Sequence, residues 1–156
     1  MRLSFRSGVG IAGALLVLGC ATTQTSRMSA ADAIAARQQL MKDQGAALRS
    51  ISDKVKAGQI AAVAADAEKL VETANRIPGL FPPGSVDPQK SRAKPEIWQR
   101  WSEFEGNAKT LSTKATQLAA TSRTGNAAAT TPLIADLSRT TCTACHDAFR
   151  GPEIKK

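Results

Sequence analysis

Apolar residues recur at helical spacing in four stretches of this chain, and no stretch alternates at the two-residue period of a half-buried strand. In the first, Ile34, Met41, Leu48 and Val55 return every seven residues with Ile51 between them, which predicts one helix running to about Lys56. Ser29 followed by Asp32 opens it as a capping-box variant with Asp in place of Glu, and Gly58 is its natural stop. The second helix carries Ile60, Val63, Ala67, Leu70 and Ala74 on one face and breaks at Ile77-Pro78-Gly79. The third begins at Pro95, a residue suited to a first turn, and has the cleanest stripe, from Ile97 and Trp101 through Phe104, Ala108, Leu111 and Ala115 to Leu118. Thr124-Gly125-Asn126 and the Ala/Thr run to Thr131 read as a loop. Pro132 then opens a last helix that ends at Gly151-Pro152.

Four amphipathic helices without strands predict an all-α chain folded as an antiparallel four-helix bundle. The segment from Ile77 to Lys94 holds Pro78, Pro82, Pro83 and Pro88 with Gly79 and Gly84, so it cannot be regular helix. So long a connection between helices 2 and 3 marks a crossover or a functional loop. Trp98 and Trp101 are assigned to packing.

The N-terminus has a different character. Arg2 and Arg6 precede a short apolar run, Val9 to Leu18, which is too short for the ~20 apolar residues of a spanning helix and reads as a signal segment. Val17-Leu18-Gly19-Cys20 resembles a lipobox, with Cys20 as the lipidated residue; ordinary cleavage after Ala21 is the alternative. The expected organisation is a signal over 1–19, a polar tether over 20–28 and a single bundle over 29–156, in the periplasm, with a lipid anchor to a membrane where Cys20 is modified. Removing residues 1–19 deletes two Arg and no acid, which takes the formal charge from +8 to +6. Basic runs with interleaved aromatics are missing, so nucleic acid is not the expected partner. The charge instead solvates the surface and biases encounter with acidic redox partners.

The chemistry lies near the C-terminus, in Cys142-Thr143-Ala144-Cys145-His146. Each of two thiols at this spacing can add across a vinyl group of one haem, and the adjacent imidazole is then held where its nitrogen reaches the iron. On a helix Cys142 and His146 lie one turn apart on one face. His146 is the only histidine in the chain. Structural zinc wants about four Cys or His ligands, and only the remote Cys20 supplements these three. A thioredoxin-like pair belongs beside a βαβ unit, which is not predicted here, and a Cys142–Cys145 disulfide leaves His146 without a role. Aromatics are only 4% of residues and Tyr is absent, so a core of Ala, Leu and Ile gains apolar area from one buried, covalent haem c and its iron.

With these pieces in place the chain resembles the cytochrome c′ family, class II c-type cytochromes, and above all its low-spin six-coordinate members. The resemblance spans residues 30–150 and rests on Arg37-x-x-x-Met41-Lys42, Phe81-Pro82-Pro83-Gly84-Ser85, Lys94-Pro95-Glu96-Ile97-Trp98 and Cys142-Thr143-Ala144-Cys145-His146-x-x-x-Arg150. It implies thioether bonds to Cys142 and Cys145, His146 as proximal ligand and Met41 on the distal side of the iron. It also implies Arg37 at a haem propionate, Phe81 along the haem edge and Arg150 beside the proximal face. Read from the residues alone, Met41 is equally a packing residue on its heptad stripe, Arg37 a solvated charge and Arg150 a cation at a helix C-terminus. Gly45, one turn after Met41, leaves room for a macrocycle.

The expected function is electron transfer by a non-enzymatic cytochrome with an unidentified redox partner protein. The rival is five-coordinate binding of nitric oxide or carbon monoxide, which needs Met41 off the iron. Homodimerisation through the first two helices is a further implication of the resemblance.

Overall fold

A computed structural model describes residues 28–154, and in it the expected all-α bundle forms. Helix α1 spans Ala30–Lys56, with Ser29 as its N-cap: the Ser29 hydroxyl oxygen accepts from the Asp32 amide at 3.1 Å and donates to the Asp32 carboxylate at 2.6 Å. The N-cap expected at Ser29 therefore forms, but Asp32 closes on the Ser29 hydroxyl rather than on its backbone amide, so the reciprocal half of a capping box is replaced. Gly58 adopts a φ of +71°, the left-handed conformation that ends a helix and that side chains rarely adopt. A tight 3₁₀ turn at Ile60–Ala62 then leads into α2, Val63–Arg76, so the regular helix starts three residues later than the apolar stripe.

The crossover runs from a second 3₁₀ turn, Pro78–Leu80, to Lys94 without regular helix, as its prolines require. The predicted third helix is two pieces, α3 Glu96–Gln99 and α4 Trp101–Ser122, divided at Arg100 where φ is −120° and ψ 45°. Two anchors explain the break. The Trp98 indole N–H donates to the Phe81 carbonyl at 3.1 Å, holding α3 to the crossover. The Arg100 guanidinium lies over the Phe149 ring at 5.3 Å while pairing with Glu103 in the first turn of α4.

The last helix also departs from expectation. It starts at Ala127, and Pro132 sits inside α5, Ala127–Leu137. The Asn126 side chain accepts from the Ala129 amide at 3.0 Å, so the run read as a loop is a capped helix that opens on three alanines, the best helix formers. Beyond Leu137 the helix widens to a π turn over Ser138–Thr143 and closes with α6, Ala144–Phe149. In this wide turn the Thr140 and Thr141 hydroxyls donate to the carbonyls of Asp136 and Leu137 at 2.8 and 2.6 Å.

The core gathers Leu40 and Ile51 from α1, Val63 and Leu70 from α2, and Phe104, Leu111 and Leu118 from α4, sealed by Leu137 and Phe149. One detail of α1 positions everything below. Its deepest face is Arg37, Leu40, Gln44, Ala47 and Ile51, whereas Met41, Leu48 and Val55 of the predicted heptad are only half-buried. The heptad seam borders a cavity on one side, so it is denied full packing.

The chain end is stitched to the crossover. The Lys94 amide donates to the Phe149 carbonyl at 3.1 Å and the Gly151 amide to the Arg92 carbonyl at 2.7 Å. A Cβ at Gly151 would stand 3.3 Å from that carbonyl oxygen, so glycine permits the approach.

Asn126→Ala is expected to lower the unfolding free energy by about 1 kcal/mol, the usual worth of an N-cap. Urea denaturation checks it; an unchanged midpoint would show that the Ala run needs no cap.

Candidate functional site

Between α1, α4, the crossover and the C-terminal helical segment lies a cavity of about 460 Å³, within the ~300–1,000 Å³ range of ligand sites. Helix α1 contributes Arg37, Met41, Gly45 and Leu48 to its lining, and the π turn with α6 contributes Cys142, Cys145, His146 and Phe149. Phe81 and Arg92 enter from the crossover, Phe104 and Leu111 from α4, and Arg150 from the chain end. Seven residues singled out by the sequence, Arg37, Met41, Phe81, Cys142, Cys145, His146 and Arg150, therefore meet around one space. Cys20 lies outside the described residues, as do the signal and most of the tether.

Local structure explains the meeting. The π turn and α6 carry both thiols and the imidazole as half-buried groups on the cavity side. Cys142 and Cys145 are free thiols. Burial first, with Cys142 adding to it, pushes the Cys145 thiol up to about 11. Such a thiol keeps its proton at neutral pH, and among the described residues no βαβ unit stands beside the pair, as a thioredoxin-like site requires. Burial, reinforced by Arg150 and Arg92 and opposed by Asp147, holds His146 below its ordinary pKa of 6.5. Its ring is therefore neutral at pH 7 and keeps a lone pair for a metal. Among the described residues no three His, Cys, Asp or Glu side chains converge on a metal ion, so zinc has no coordination set there.

The lining fits a flat apolar macrocycle. Aromatic rings form one wall: Phe81 meets Phe104 edge-on at 4.7 Å, and Phe104 meets Phe149 at 5.5 Å and 88°. Gly45 puts no side chain into the space, and Arg49 lies alongside it, its Nη1 3.4 Å from where a Cβ would be. Soft thioether and imidazole donors, Met41 and His146, enter from different helices, and two thiols stand next to the imidazole. This donor set suits iron in a covalently held porphyrin.

Arg37 departs from the solvated-charge reading. It is 4% exposed, and its guanidinium donates to the Ser85 hydroxyl at 3.0 Å, the Ser85 carbonyl at 2.8 Å and the Ser91 hydroxyl at 2.6 Å. It also lies 4.6 Å over the Phe81 ring. None of the ion pairs among the described residues includes it. The cation both fastens the crossover to α1 and presents an unpaired charge to the cavity.

Sequence reasoning missed Ser85 and Ser91 as partners, and no local signal marks them. It also missed Phe149 as a wall residue, although its place four residues after Cys145 puts both on one helical face. Gln44 is a further omission: buried and lining the cavity, it donates to the Thr73 hydroxyl at 3.2 Å.

Comparison with known proteins agrees with this fold. The family model described as Cytochrome C′ matches residues 32–150. The chain is 32% identical over 117 residues to cytochrome c′ of Pararhodospirillum photometricum, covering 73% of this chain and 92% of that one. It is 32% identical over 143 residues to cytochrome c-556 of Agrobacterium fabrum, covering 88% and 92%. A solved cytochrome c′ with ligand-controlled dimer dissociation superposes with a TM-score of 0.73 at 27% identity, over 81% of this chain and all of that one.

Hydrogen bonds from a charged donor are worth roughly 1.5–3 kcal/mol when buried, so Arg37→Ala is expected to destabilise by at least about 3 kcal/mol. Arg37→Lys should recover part of this and Ser85→Ala should cost about 1 kcal/mol, because its carbonyl bond survives. Urea titrations that rank the three variants otherwise would remove the clamp.

Proposed function

Because this chain belongs to the cytochrome c′ family, we propose that it is a periplasmic electron-transfer protein carrying one covalent haem c in the cavity, without enzymatic activity. The observation that carries this is Met41 and His146 lining one apolar space from different helices, beside two free thiols. Bound haem c supplies one-electron exchange between ferrous and ferric iron.

The chain's own residues would divide the work. Cys142 and Cys145 would hold the group through thioether bonds, each thiol supplying the sulfur and its proton. Neutral His146 offers a nitrogen lone pair as the proximal ligand. Met41 offers a thioether as the distal ligand, and His/Met ligation favours a high reduction potential. Arg37, buried and without a carboxylate of its own, suits a haem propionate through the donor capacity its serine contacts leave. Phe81, Phe104 and Phe149 exclude water from the macrocycle. Arg150 adds positive charge beside His146.

The family assignment supports export, and the residues outside the described segment supply the route: the signal over 1–19 and lipid attachment at Cys20. Among the described residues no helix is long and apolar enough to cross a membrane. One similar solved cytochrome c′ undergoes ligand-controlled dimer dissociation, which supports a homodimer here.

A second reading keeps a specific observation in its favour. Met41 is half-buried and holds its place on a helix face open to the cavity, so a displaceable ligand would leave the iron to nitric oxide or carbon monoxide.

Holoprotein matured in a host competent for cytochrome assembly is expected to gain the mass of one haem and to be low-spin in both oxidation states. Its ferrous form is expected to resist carbon monoxide. High-spin ferrous iron in the wild type would remove Met41 from the iron and select the gas-binding reading. Met41→Leu is expected to turn the iron high-spin and to make carbon monoxide binding complete within mixing, read by the Soret band; unchanged spectra would assign Met41 to packing.

A further inference from the structure

Ion pairing sorts the charges of this protein unevenly. Across the bundle, most cations are matched by a carboxylate of a neighbouring turn or helix: Lys54 with Asp66 at 2.7 Å, Arg100 with Glu103 at 2.5 Å, and Lys114 with Asp136 and Arg123 with Glu68 at close range, while Asp32, Asp43, Glu96, Glu105 and Asp147 take no ion pair among the described residues. Among the described residues six cations take no such partner: Arg37, Lys42, Arg49, Lys94, Lys109 and Arg150.

These six are not scattered. Arg37, Lys42 and Arg150 line the cavity, and Arg49 lies against Gly45 of its α1 wall. Lys94 donates to the Ala148 carbonyl at 2.8 Å, two residues beyond His146. Only Lys109 stands apart, exposed on α4. No Asp or Glu lines the cavity. Of the nearby acids, Asp43 accepts from Gln39 at 2.8 Å and acts electrostatically on Glu72, which turns it toward α2. Glu153 stands 4.0 Å from Arg92 and is almost fully exposed, and Asp147 is the carboxylate that reaches His146 electrostatically. Two haem carboxylates would offset two of the five gathered cations and leave the mouth positive.

We infer that the cavity mouth, with Lys42 and Arg49 on its α1 side and Lys94 and Arg150 on its C-terminal side, is a docking surface for an acidic redox protein. The inference rests on the reading of the cavity as the haem site. A low-dielectric cleft lined by one sign of charge focuses the field at its opening. That raises the rate of encounter with a partner of opposite charge, and it does so where an electron has the shortest way to travel. An acidic partner therefore meets the redox group first, whereas ten of the eleven other described cations already hold a carboxylate and offer it little. A bare excess of positive charge spread over the protein would not give this selectivity.

The test is stopped-flow reduction of the ferric holoprotein by reduced flavodoxin, an acidic one-electron donor. Its anionic flavin hydroquinone loses one electron to become the neutral semiquinone, and the ferric iron gains that electron. The wild-type rate constant is expected to fall about ten-fold between ~10 and ~300 mM salt. Lys42→Glu is expected to lower the low-salt rate by about three-fold or more, with Arg49→Glu acting likewise, whereas Lys109→Glu, with the same change in net charge, stays within about two-fold of wild type. Equal loss in Lys42→Glu and Lys109→Glu, or a wild-type rate indifferent to salt, would overturn the docking surface while leaving the haem reading intact. Protein lacking haem absorbance would overturn both. Sedimentation with anionic vesicles that depends on Lys42 and Arg49, without any effect on the flavodoxin rates, would give the surface to lipid and overturn the proposal.

Discussion

A buried guanidinium without a carboxylate partner holds this molecule in shape. Arg37 reaches from α1 to both serines of the crossover, Ser85 and Ser91, and lies over Phe81. Taking a cation out of water is costly unless its donors are met, and here a hydroxyl, a carbonyl and a second hydroxyl meet them. Beyond its 3₁₀ turn the crossover is irregular and held inside mainly by local turn bonds, so this clamp, the Trp98 indole, Gln38 on the Lys90 carbonyl and the chain end give it a fixed course. That course makes one wall of the cavity.

The C-terminal segment depends on the same frame from the other side. The chain end lies along Arg92, Ala93 and Lys94 through backbone bonds, and Lys94 caps the carbonyl of Ala148. The helix that carries Cys142, Cys145 and His146 is thus tied to the crossover that Arg37 ties to α1. Two anchoring systems, one on each helix, fix the separation between the wall bearing Met41 and the wall bearing His146. The space between them cannot be closed by packing, because α1 turns its heptad seam of Met41 and Leu48 to the cavity and keeps Leu40, Ala47 and Ile51 for the core.

Electrostatics and packing converge on the same opening. Burial keeps His146 neutral and Cys145 protonated, both of which suit covalent attachment of a porphyrin and ligation of its iron. The surrounding cations depress the imidazole further and also give the mouth its sign. The two effects share a cause, since Arg92 and Arg150 act on His146 and stand at the rim.

Local spacing determined a good deal by itself. The Ser29 cap, the stop at Gly58, the proline-rich crossover and the cysteine–histidine pentad all follow from residues within a turn or two of one another, and each is where the sequence put it. The family resemblance added Met41, Arg37, Phe81 and Arg150, which do converge on one cavity. Periodicity failed where two anchors pull one helix in different directions, at Arg100, and where a capped alanine run was mistaken for a loop because of Pro132. It also could not tell a seam that packs from a seam that borders a space, since Met41 and Leu48 satisfy the heptad either way. Only the tertiary structure decided that Arg37 is spent largely on Ser85 and Ser91, that Phe149 closes the cavity, and that the unpaired cations gather at its mouth. The physical reason is sequence separation: Arg37 and Ser85 lie 48 residues apart, and which groups meet over such distances is set by how the helices pack, not by any pattern along the chain.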